Sequence, residues 1–254
     1  MSEIQKLFNK SELRSSKYKK YFSNYDEILS RFKGRDIKII EIGVQDGGSL
    51  KIWQEYFGLN SQIFGVDLNP QCKKFEKDNI KIFIGSQSSK NFWTKLFDQI
   101  GKVDLIIDDG GHTNAQQIIT AVNCIPNIKD GGMLITEDVH SSYLRRFGNP
   151  SKYSFINFIK KTIDDINSLY PNLKKFNFSL NQFVYSIQNF ESMAVFYVDR
   201  TRCKPNDLVV NKGQQFNHKD FRDNDHKSKI FQELKIFSFL KKKLSFLDYK
   251  KYFN

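Results

Sequence analysis

Five short apolar runs, separated by polar stretches, recur along the first half of the chain. They span residues 37–42, 63–68, 80–84, 103–107 and 133–136. Such runs, bounded by turn residues, are typical of buried strands. The segments between them carry apolar residues at helical spacing, and a longer helical stripe follows over 155–170. Strand and helix therefore alternate from residue 37 to about 170, which predicts a parallel sheet with helices on both faces, a doubly wound α/β fold.

Two further strand-like runs, 183–187 and 193–198, follow without a helix between them. A short polar link of this kind is typical of an antiparallel hairpin. Such a hairpin at the end of a parallel sheet distinguishes the methyltransferase variant of this architecture from dinucleotide-binding dehydrogenases. We therefore expect a mostly parallel seven-stranded sheet with a C-terminal antiparallel hairpin.

Composition narrows the class of protein. The chain has 254 residues, 39% of them hydrophobic, which is enough for one large α/β core. No run of 18 apolar residues occurs and the start is polar and mixed in charge, so we expect neither a membrane span nor secretion. The three cysteines form no CxxC pair and indicate neither a disulfide framework nor a zinc site. A cytoplasmic protein is the expectation.

The net charge of +12 is unevenly distributed. Residues 201–254 hold 13 Lys/Arg against 6 Asp/Glu, so +7 of the +12 lies there. A basic surface attracts nucleic acid, acidic membranes or phosphorylated small molecules, although a Lys-rich chain often has only a solvated basic face. Apolar residues interleave with these charges, and a basic helix is predicted over 226–247.

Residues that follow the strands predict a cofactor site, because ligands of open α/β sheets bind at the carboxyl ends of the strands. The glycines after the first strand do not have the G-x-G-x-x-G spacing of dehydrogenases. The acidic residue before them suits a cationic or amino-bearing cofactor better than a diphosphate, and we expect S-adenosylmethionine. The expected cofactor-binding residues are Glu41, Gly43, Gly47, Ser49, Asp67, Gln87 and Asp108.

Three of these residues have specific expected roles. Asp67 ends the second strand, where a carboxylate accepts both ribose hydroxyls. Gln87 follows the third strand and either meets the adenine or belongs to an ordinary polar loop. Asp108 ends the fourth strand and either holds the amino group of the methionine moiety or caps a helix.

A second group of residues predicts the reaction chemistry. Asp109 and His112 share one loop, and Asp138 follows the next strand. If these two strands are neighbours, two carboxylates and one imidazole meet in a single pocket. Carboxylate oxygens suit Mg²⁺, or Mn²⁺, and His112 is the candidate general base that removes a proton from a sugar-type hydroxyl. His140 is either a substrate contact or a surface residue.

The segments 41–44, 66–69, 104–112 and 131–143 resemble the metal-dependent sugar O-methyltransferases of macrolide biosynthesis, the mycinamicin and macrocin type. The resemblance runs from about residue 18 to about 198. It implies that His112 is the general base and that Asp109 and Asp138 are metal ligands. It also implies a third acidic ligand before the first strand, assigned to Asp26 with Glu27 as the alternative. The chain departs from the family at positions 111 and 86, where Gly and Ser stand.

These observations lead to an expected organisation and function. We expect a helical segment over 1–36 that contributes to the active site, a catalytic domain over 37–200 and a basic extension over 201–254. The expected activity is metal-assisted methylation of a sugar hydroxyl, with a small-molecule sugar or nucleotide-sugar acceptor, such as a heptose or hexose for a bacterial surface polysaccharide. The alternatives are an RNA or other nucleic-acid methyltransferase and a non-catalytic cofactor-binding protein. Nucleic acid is not the expected partner, and a homo-oligomer is left open.

Overall fold

The computed structural model describes residues 2–148, 152–169, 178–205 and 207–214. The chain divides into two units, Met1–Asp207 and Leu208–Asn254, and the sheet and the candidate site belong to the first. The helix expected over 226–247 lies outside the described residues. Within the described part, no helix is both long enough and apolar enough to cross a membrane.

Seven strands form one sheet. In chain order they are β1 (Lys38–Ile42), β2 (Gln62–Asp67), β3 (Ile80–Ile84), β4 (Val103–Asp108), β5 (Ile128–Thr136), β6 (Val184–Phe190) and β7 (Met193–Val198). Their spatial order is β3-β2-β1-β4-β5-β7-β6. The first five are parallel, and β7 pairs antiparallel with both β5 and β6. The predicted fold class is confirmed.

Six α-helices accompany the strands in the described residues. They are α1 (Glu3–Lys10), α2 (Lys19–Leu29), α3 (Gly48–Phe57), α4 (Lys90–Ile100), α5 (Asn114–Cys124) and α6 (Phe155–Asn167). Local capping explains where several begin. The Ser89 side chain accepts the Phe92 N–H at the start of α4, and Thr113 with Gln116 forms a reciprocal capping box at the start of α5.

Side-chain alternation along the strands divides the core into two layers. On β1, Ile39 packs in the layer that includes α1, α2 and α3, whereas Ile40 and Ile42 pack in the layer that includes α4, α5 and α6. The same alternation holds on β4 from Leu105 to Ile107 and on β5 from Met133 to Ile135. The central strands are buried on both faces, which is why each reads as a continuous apolar run.

Several boundaries differ from the sequence prediction, among them the end of β6, which lies at Phe190 rather than at residue 187. The expected helical approach over the first 35 residues is two helices, α1 and α2, separated by residues 11–18 without helix. Strand β5 begins at Ile128, five residues before the expected start. Residues 129–131 are exposed, and the register with β4 shifts there. A pattern of apolar residues does not detect an exposed stretch of strand.

The strand order reverses beside β1. The chain runs outward through β2 and β3, then returns to place β4 on the other side of β1. The loops after β1 and β4 therefore leave the sheet in different directions and open a crevice between them, which is the usual ligand position in this architecture.

Candidate active site

Backbone hydrogen bonds join the loops beyond the strand ends. The Gly43 N–H donates to the Val66 carbonyl at 2.9 Å, and the Asp109 N–H donates to the Ile42 carbonyl at 3.0 Å. Gly43 has a φ of +94°, and a methyl group added there would lie 2.1 Å from the Asp109 carbonyl oxygen. The β1 and β4 loops are thus in direct backbone contact, and only glycine permits it at this position.

Asp67 organises the glycine loop after β1. Its Oδ2 accepts the N–H groups of Val44 and Gln45 at 2.9 and 3.1 Å, and its Oδ1 accepts the Asn69 N–H at 2.8 Å. A cavity of about 210 Å³ lies beside it. Gly43, Asp67 and Gln87, which the sequence predicted for the cofactor, line this cavity together with residues of the β4 loop.

Gln87 holds neighbouring groups of the site in place through hydrogen bonds of its side-chain amide. Its amide nitrogen donates to Asp108 Oδ1 at 3.0 Å and to the Thr120 hydroxyl at 3.1 Å, and its carbonyl oxygen accepts the Gly111 N–H at 2.8 Å. Both amide hydrogens and the carbonyl oxygen therefore have partners inside the protein. Gln87 therefore forms part of the cavity wall and holds the Asp108 carboxylate in position.

Asp108 is buried, and its two oxygens differ. Oδ1 accepts hydrogen bonds from Gln87 and the Gly110 N–H, whereas Oδ2 has no hydrogen-bond partner among the described residues. Burial raises the pKa of Asp108 to about 7, with the bond from Gln87 opposing it. A buried acceptor without a partner is costly, so an amino group that reached Oδ2 would bind favourably.

Asp109, His112 and Asp138 come together as the sequence predicted. One ligand atom from each lies within 4.8 Å of the others. His112 Nε2 is 3.8 Å from Asp109 Oδ1 and 3.5 Å from Asp138 Oδ2. His112 and Asp138 both have left-handed backbone, with φ of +58° and +56°. Strained backbone at non-glycine residues is concentrated at functional sites.

This donor set fits a divalent cation. Mg²⁺ binds oxygen at about 2.1 Å, so two of its ligands lie up to about 4.2 Å apart across the ion. The distances from His112 Nε2 to the two carboxylates, 3.8 and 3.5 Å, fall within that value, and the three ligand atoms all lie within 4.8 Å of one another. The Tyr21 hydroxyl donates to Asp138 Oδ1 at 2.8 Å and so orients the carboxylate from outside the group.

Strand alternation places Asp109 and two further acids, Glu41 and Glu137, on one side of the sheet. Each lies two positions after an isoleucine of the layer that includes α1, α2 and α3, namely Ile107, Ile39 and Ile135. Glu41 and Glu137 are fully buried, and Glu41 accepts the Ser49 hydroxyl at 2.9 Å.

Lys17 neutralises this acidic group. Its ammonium lies 2.5 Å from Asp109 Oδ2 and 2.6 Å from Glu137 Oε1, and its side chain is 5% exposed. The Tyr25 hydroxyl also donates to Glu137. Burial acts to lower the pKa of Lys17, but the charges of Glu137, Asp109 and Glu41 outweigh it and raise that pKa above its ordinary value. Lys17 therefore remains charged.

The pKa values of the buried acids are also raised, which for an acid favours the neutral form. Burial raises the pKa of Glu41 to about 7, with Lys17 opposing the rise. Burial likewise raises the pKa of Glu137, helped by the charge of Asp109 and opposed by Lys17. The site thus holds more acidic groups than Lys17 neutralises, and a bound cation would favour their ionised forms.

The structure does not bring Asp26 into this group, and its role as a metal ligand stays a prediction. The Asp26 carboxylate accepts the N–H groups of Glu3 and Ile4 at 2.8 and 3.2 Å, at the start of α1. Helix N-termini offer free N–H groups and favour negative charge, so Asp26 has a local partner. The alternative, Glu27, accepts the Gln188 side-chain amide at 3.0 Å on the surface.

His140 lies between two clefts. It contacts the Ser192 hydroxyl and packs edge-on against Tyr18, with ring centroids 5.7 Å apart. One cleft, of about 480 Å³, is lined by Tyr18, Lys19, Lys20, Tyr21, His140, Glu191 and Ser192. Because Tyr21 also contacts Asp138, this cleft adjoins the group formed by Asp109, His112 and Asp138.

Solved structures share this fold. MycE methyltransferase from the mycinamycin biosynthetic pathway, in complex with Mg and SAH, aligns with a TM-score of 0.71 at 21% identity over 84% of this chain and 58% of that chain. A second MycE structure, in complex with Mg, SAH and mycinamycin VI, aligns with the same TM-score over 84% of this chain and 56% of that chain.

The chain has the fold of a methyltransferase.

Curated relatives are sugar O-methyltransferases. The 8-demethyl-8-(2-methoxy-alpha-L-rhamnosyl)-tetracenomycin-C 3'-O-methyltransferase of Streptomyces olivaceus is 28% identical over 155 residues, which cover 56% of this chain and 39% of that protein. Mycinamicin VI 2''-O-methyltransferase of Micromonospora griseorubida is 28% identical over 155 residues, 56% of this chain and 38% of that protein. The chain thus spans about two fifths of the length of the relatives it matches. No family model matches it.

On this methyltransferase fold, the predicted residues occupy distinct positions. Glu41, Ser49 and Asp108 are buried at the crevice, and Gly47 caps α3 with a φ of +75°. The interpretation of the sequence missed Lys17, Tyr21, Tyr25 and Glu137. A signal existed for Glu137, because it directly follows β5 on the same side of the sheet as Glu41. No local pattern marks Lys17.

Proposed function

We propose that the chain is an S-adenosylmethionine-dependent O-methyltransferase that acts on a sugar hydroxyl with the help of a divalent cation. The observation that carries this proposal is the group formed by Asp109, His112 and Asp138 beside the crevice between β1 and β4. The relatives' names support a sugar-bearing acceptor, and the MycE complexes with Mg and SAH support the cofactor and the metal.

The residues around the crevice suit the parts of S-adenosylmethionine. Asp67 accepts three loop N–H groups, which leaves about one of its four lone-pair sites, on Oδ1, for a ribose hydroxyl. The unpartnered Oδ2 of Asp108 and the buried carboxylate of Glu41 suit its positive charges. These acids would therefore bind the methionine end, and the loop over Gly43 would allow close backbone approach.

The metal would be held by Asp109 and Asp138. A divalent cation would make an acceptor hydroxyl more acidic and stabilise the alkoxide that forms. His112 accepts the proton at Nε2, which faces the two carboxylates. Tyr21 keeps Asp138 in position, and the rigid strand ends align the hydroxyl with the methyl group that it attacks.

The cleft next to Tyr21 is the proposed acceptor site. Its volume of about 480 Å³ lies within the usual range of about 300–1,000 Å³ for small-molecule pockets. Tyr18 is 58% exposed and offers a ring face for a sugar, and His140 offers a polar contact. Lys19 and Lys20 line the same cleft and support a phosphate-bearing acceptor, such as a nucleotide-activated heptose or hexose for a surface polysaccharide.

A screen of nucleotide-sugars with methyl-labelled S-adenosylmethionine tests the function. Label should pass to at least one sugar with Mg²⁺ or Mn²⁺ present, and excess EDTA should abolish transfer. Asp138→Asn should lose the metal-dependent transfer, whereas Asp26→Asn serves as a control that keeps it. Full turnover in EDTA would contradict the metal's role, and transfer to RNA alone would favour the nucleic-acid alternative that the net charge suggests.

A further inference from the structure

Residues 11–18, here called the strap, connect α1 to α2 and reach both the start of α3 and the acids that follow β4 and β5. The backbone carbonyls of Leu13 and Arg14 lie against Gly48 at the start of α3, where a methyl group would meet them at 2.7 and 2.6 Å. Gly48 is followed by the buried Ser49, whose hydroxyl donates to the buried Glu41, and Glu41 is near enough to help raise the pKa of Lys17. The open cavity measures about 210 Å³, below the roughly 300 Å³ at which small-molecule pockets begin. The contacts of the strap with Gly48, Asp109 and Glu137 place it against the end of the crevice proposed for the methionine moiety.

The strap has little apolar surface to hold it in place. Residues 12–14, 16 and 18 are exposed, and the other three are half-buried. Its ion pair between Glu12 and Lys51 spans 3.9 Å at the surface and contributes little. Lys17 is the exception, because its buried ammonium contacts Asp109 and Glu137. This one cation is the strap's main attachment to the sheet.

The partners of Lys17 overlap with the proposed metal site. Asp109 directs Oδ2 to Lys17 and Oδ1 toward His112, and Glu137 directly precedes Asp138. A divalent cation at this site draws on the same carboxylate charge that attracts Lys17. Two cations that share one carboxylate weaken each other's binding, because each repels the other and each satisfies part of the negative charge.

We propose that Lys17 is a tethered counter-ion that holds the strap closed over the metal-free site, and that binding of a divalent cation weakens this attachment and releases the strap. Metal binding then promotes opening of the crevice at the end proposed for the methionine moiety. Binding of the metal and binding of the cofactor are therefore coupled. The proposal rests on the metal site of the proposed function.

Binding of Mn²⁺ to the full chain, followed by the electron paramagnetic resonance of free Mn²⁺, tests the coupling without an acceptor. Lys17→Met should bind Mn²⁺ about tenfold more tightly than the wild type or better, because the competing cation is gone. Lys19→Met removes the same charge from an exposed neighbour and should change affinity by less than about twofold. Lys17→Arg keeps the charge and should resemble the wild type. Equal or weaker binding by Lys17→Met than by Lys19→Met would overturn the proposal.

Limited trypsin digestion of the wild-type chain supplies a measurement that needs no variant. Cleavage after Lys17, mapped by mass spectrometry, should accelerate when Mn²⁺ is added, since a released strap is accessible. Unchanged or slower cleavage in saturating Mn²⁺ would overturn the proposal even if Lys17→Met fails to fold. If neither the wild type nor Lys17→Met binds Mn²⁺, the proposed metal site itself fails, whereas Mn²⁺ binding that ignores Lys17 refutes the tether alone.

Discussion

Gly43→Ala is the substitution whose consequence the structure defines most sharply. Gly43 lies where the β1 and β4 loops touch, with a φ of +94°, and an added methyl group would lie 2.1 Å from the Asp109 carbonyl oxygen. Side-chain carbons essentially never approach closer than 3.0 Å to such an atom. The two loops would therefore have to separate by about 0.9 Å, the difference between these distances.

Two costs add up in this variant. Left-handed backbone costs an alanine about 1–2 kcal/mol. Forcing extra volume into a packed contact costs about 1–3 kcal/mol more. The free energy of unfolding should thus fall by about 2–5 kcal/mol. The displaced loop carries Asp109 and His112, and a misplacement of about 1 Å reduces catalysis by about 10²-fold.

Gly131→Ala is a matched control. Gly131 has a φ of +84°, is exposed, and has no atom within 4 Å of an added methyl group, so it isolates the backbone cost. Urea unfolding should show the larger loss for Gly43→Ala, and calorimetry should show weaker binding of the demethylated cofactor in that variant only. Equal destabilisation of the two variants with unchanged cofactor binding would refute the contact between the loops.

Three further predictions concern single side chains. Asp67→Ala should weaken cofactor binding by about 1–3 kcal/mol in calorimetry, the scale of hydrogen bonds to a charged group; unchanged affinity would remove Asp67 from the cofactor site. Tyr21→Phe should weaken Mn²⁺ binding about tenfold or more by freeing the carboxylate of Asp138, with folding retained on circular dichroism; an unaltered Mn²⁺ titration would argue against that role. Because burial raises the pKa of Glu41 from 4.5 to about 7, the folded chain keeps a proton that the unfolded chain loses as pH rises through this window. The unfolding free energy of the wild type should therefore fall relative to that of Glu41→Gln between pH 4.5 and 7, by on the order of 3 kcal/mol. A difference between the two proteins that is the same at pH 5 and pH 8 would contradict a buried, protonated Glu41.

Much of the sheet was predictable because its signals are local. A strand buried on both faces is a short apolar run whatever surrounds it, and β3 and β7 have the predicted bounds. The acids at the strand ends followed from the same reasoning, since parallel strands bring their carboxyl ends to one edge. Asp109, His112 and Asp138 were thereby predicted to meet, and they do.

Only the tertiary structure shows which residues from outside the strand ends join the acids at that edge of the sheet. Asp26 lies in the segment expected to supply an acid, but the nearby N-terminus of α1 has free N–H groups and takes its carboxylate. Lys17 joins the site instead. It lies in a polar stretch without periodicity and contacts Asp109 and Glu137, which are 92 and 120 positions further along the chain. Sequence by itself determined the strands, their order of appearance and the acids at their ends, because burial and backbone periodicity leave a local pattern. Only the folded chain decided which cation would balance those acids, because an ion pair depends on distance in space and leaves no pattern along the sequence.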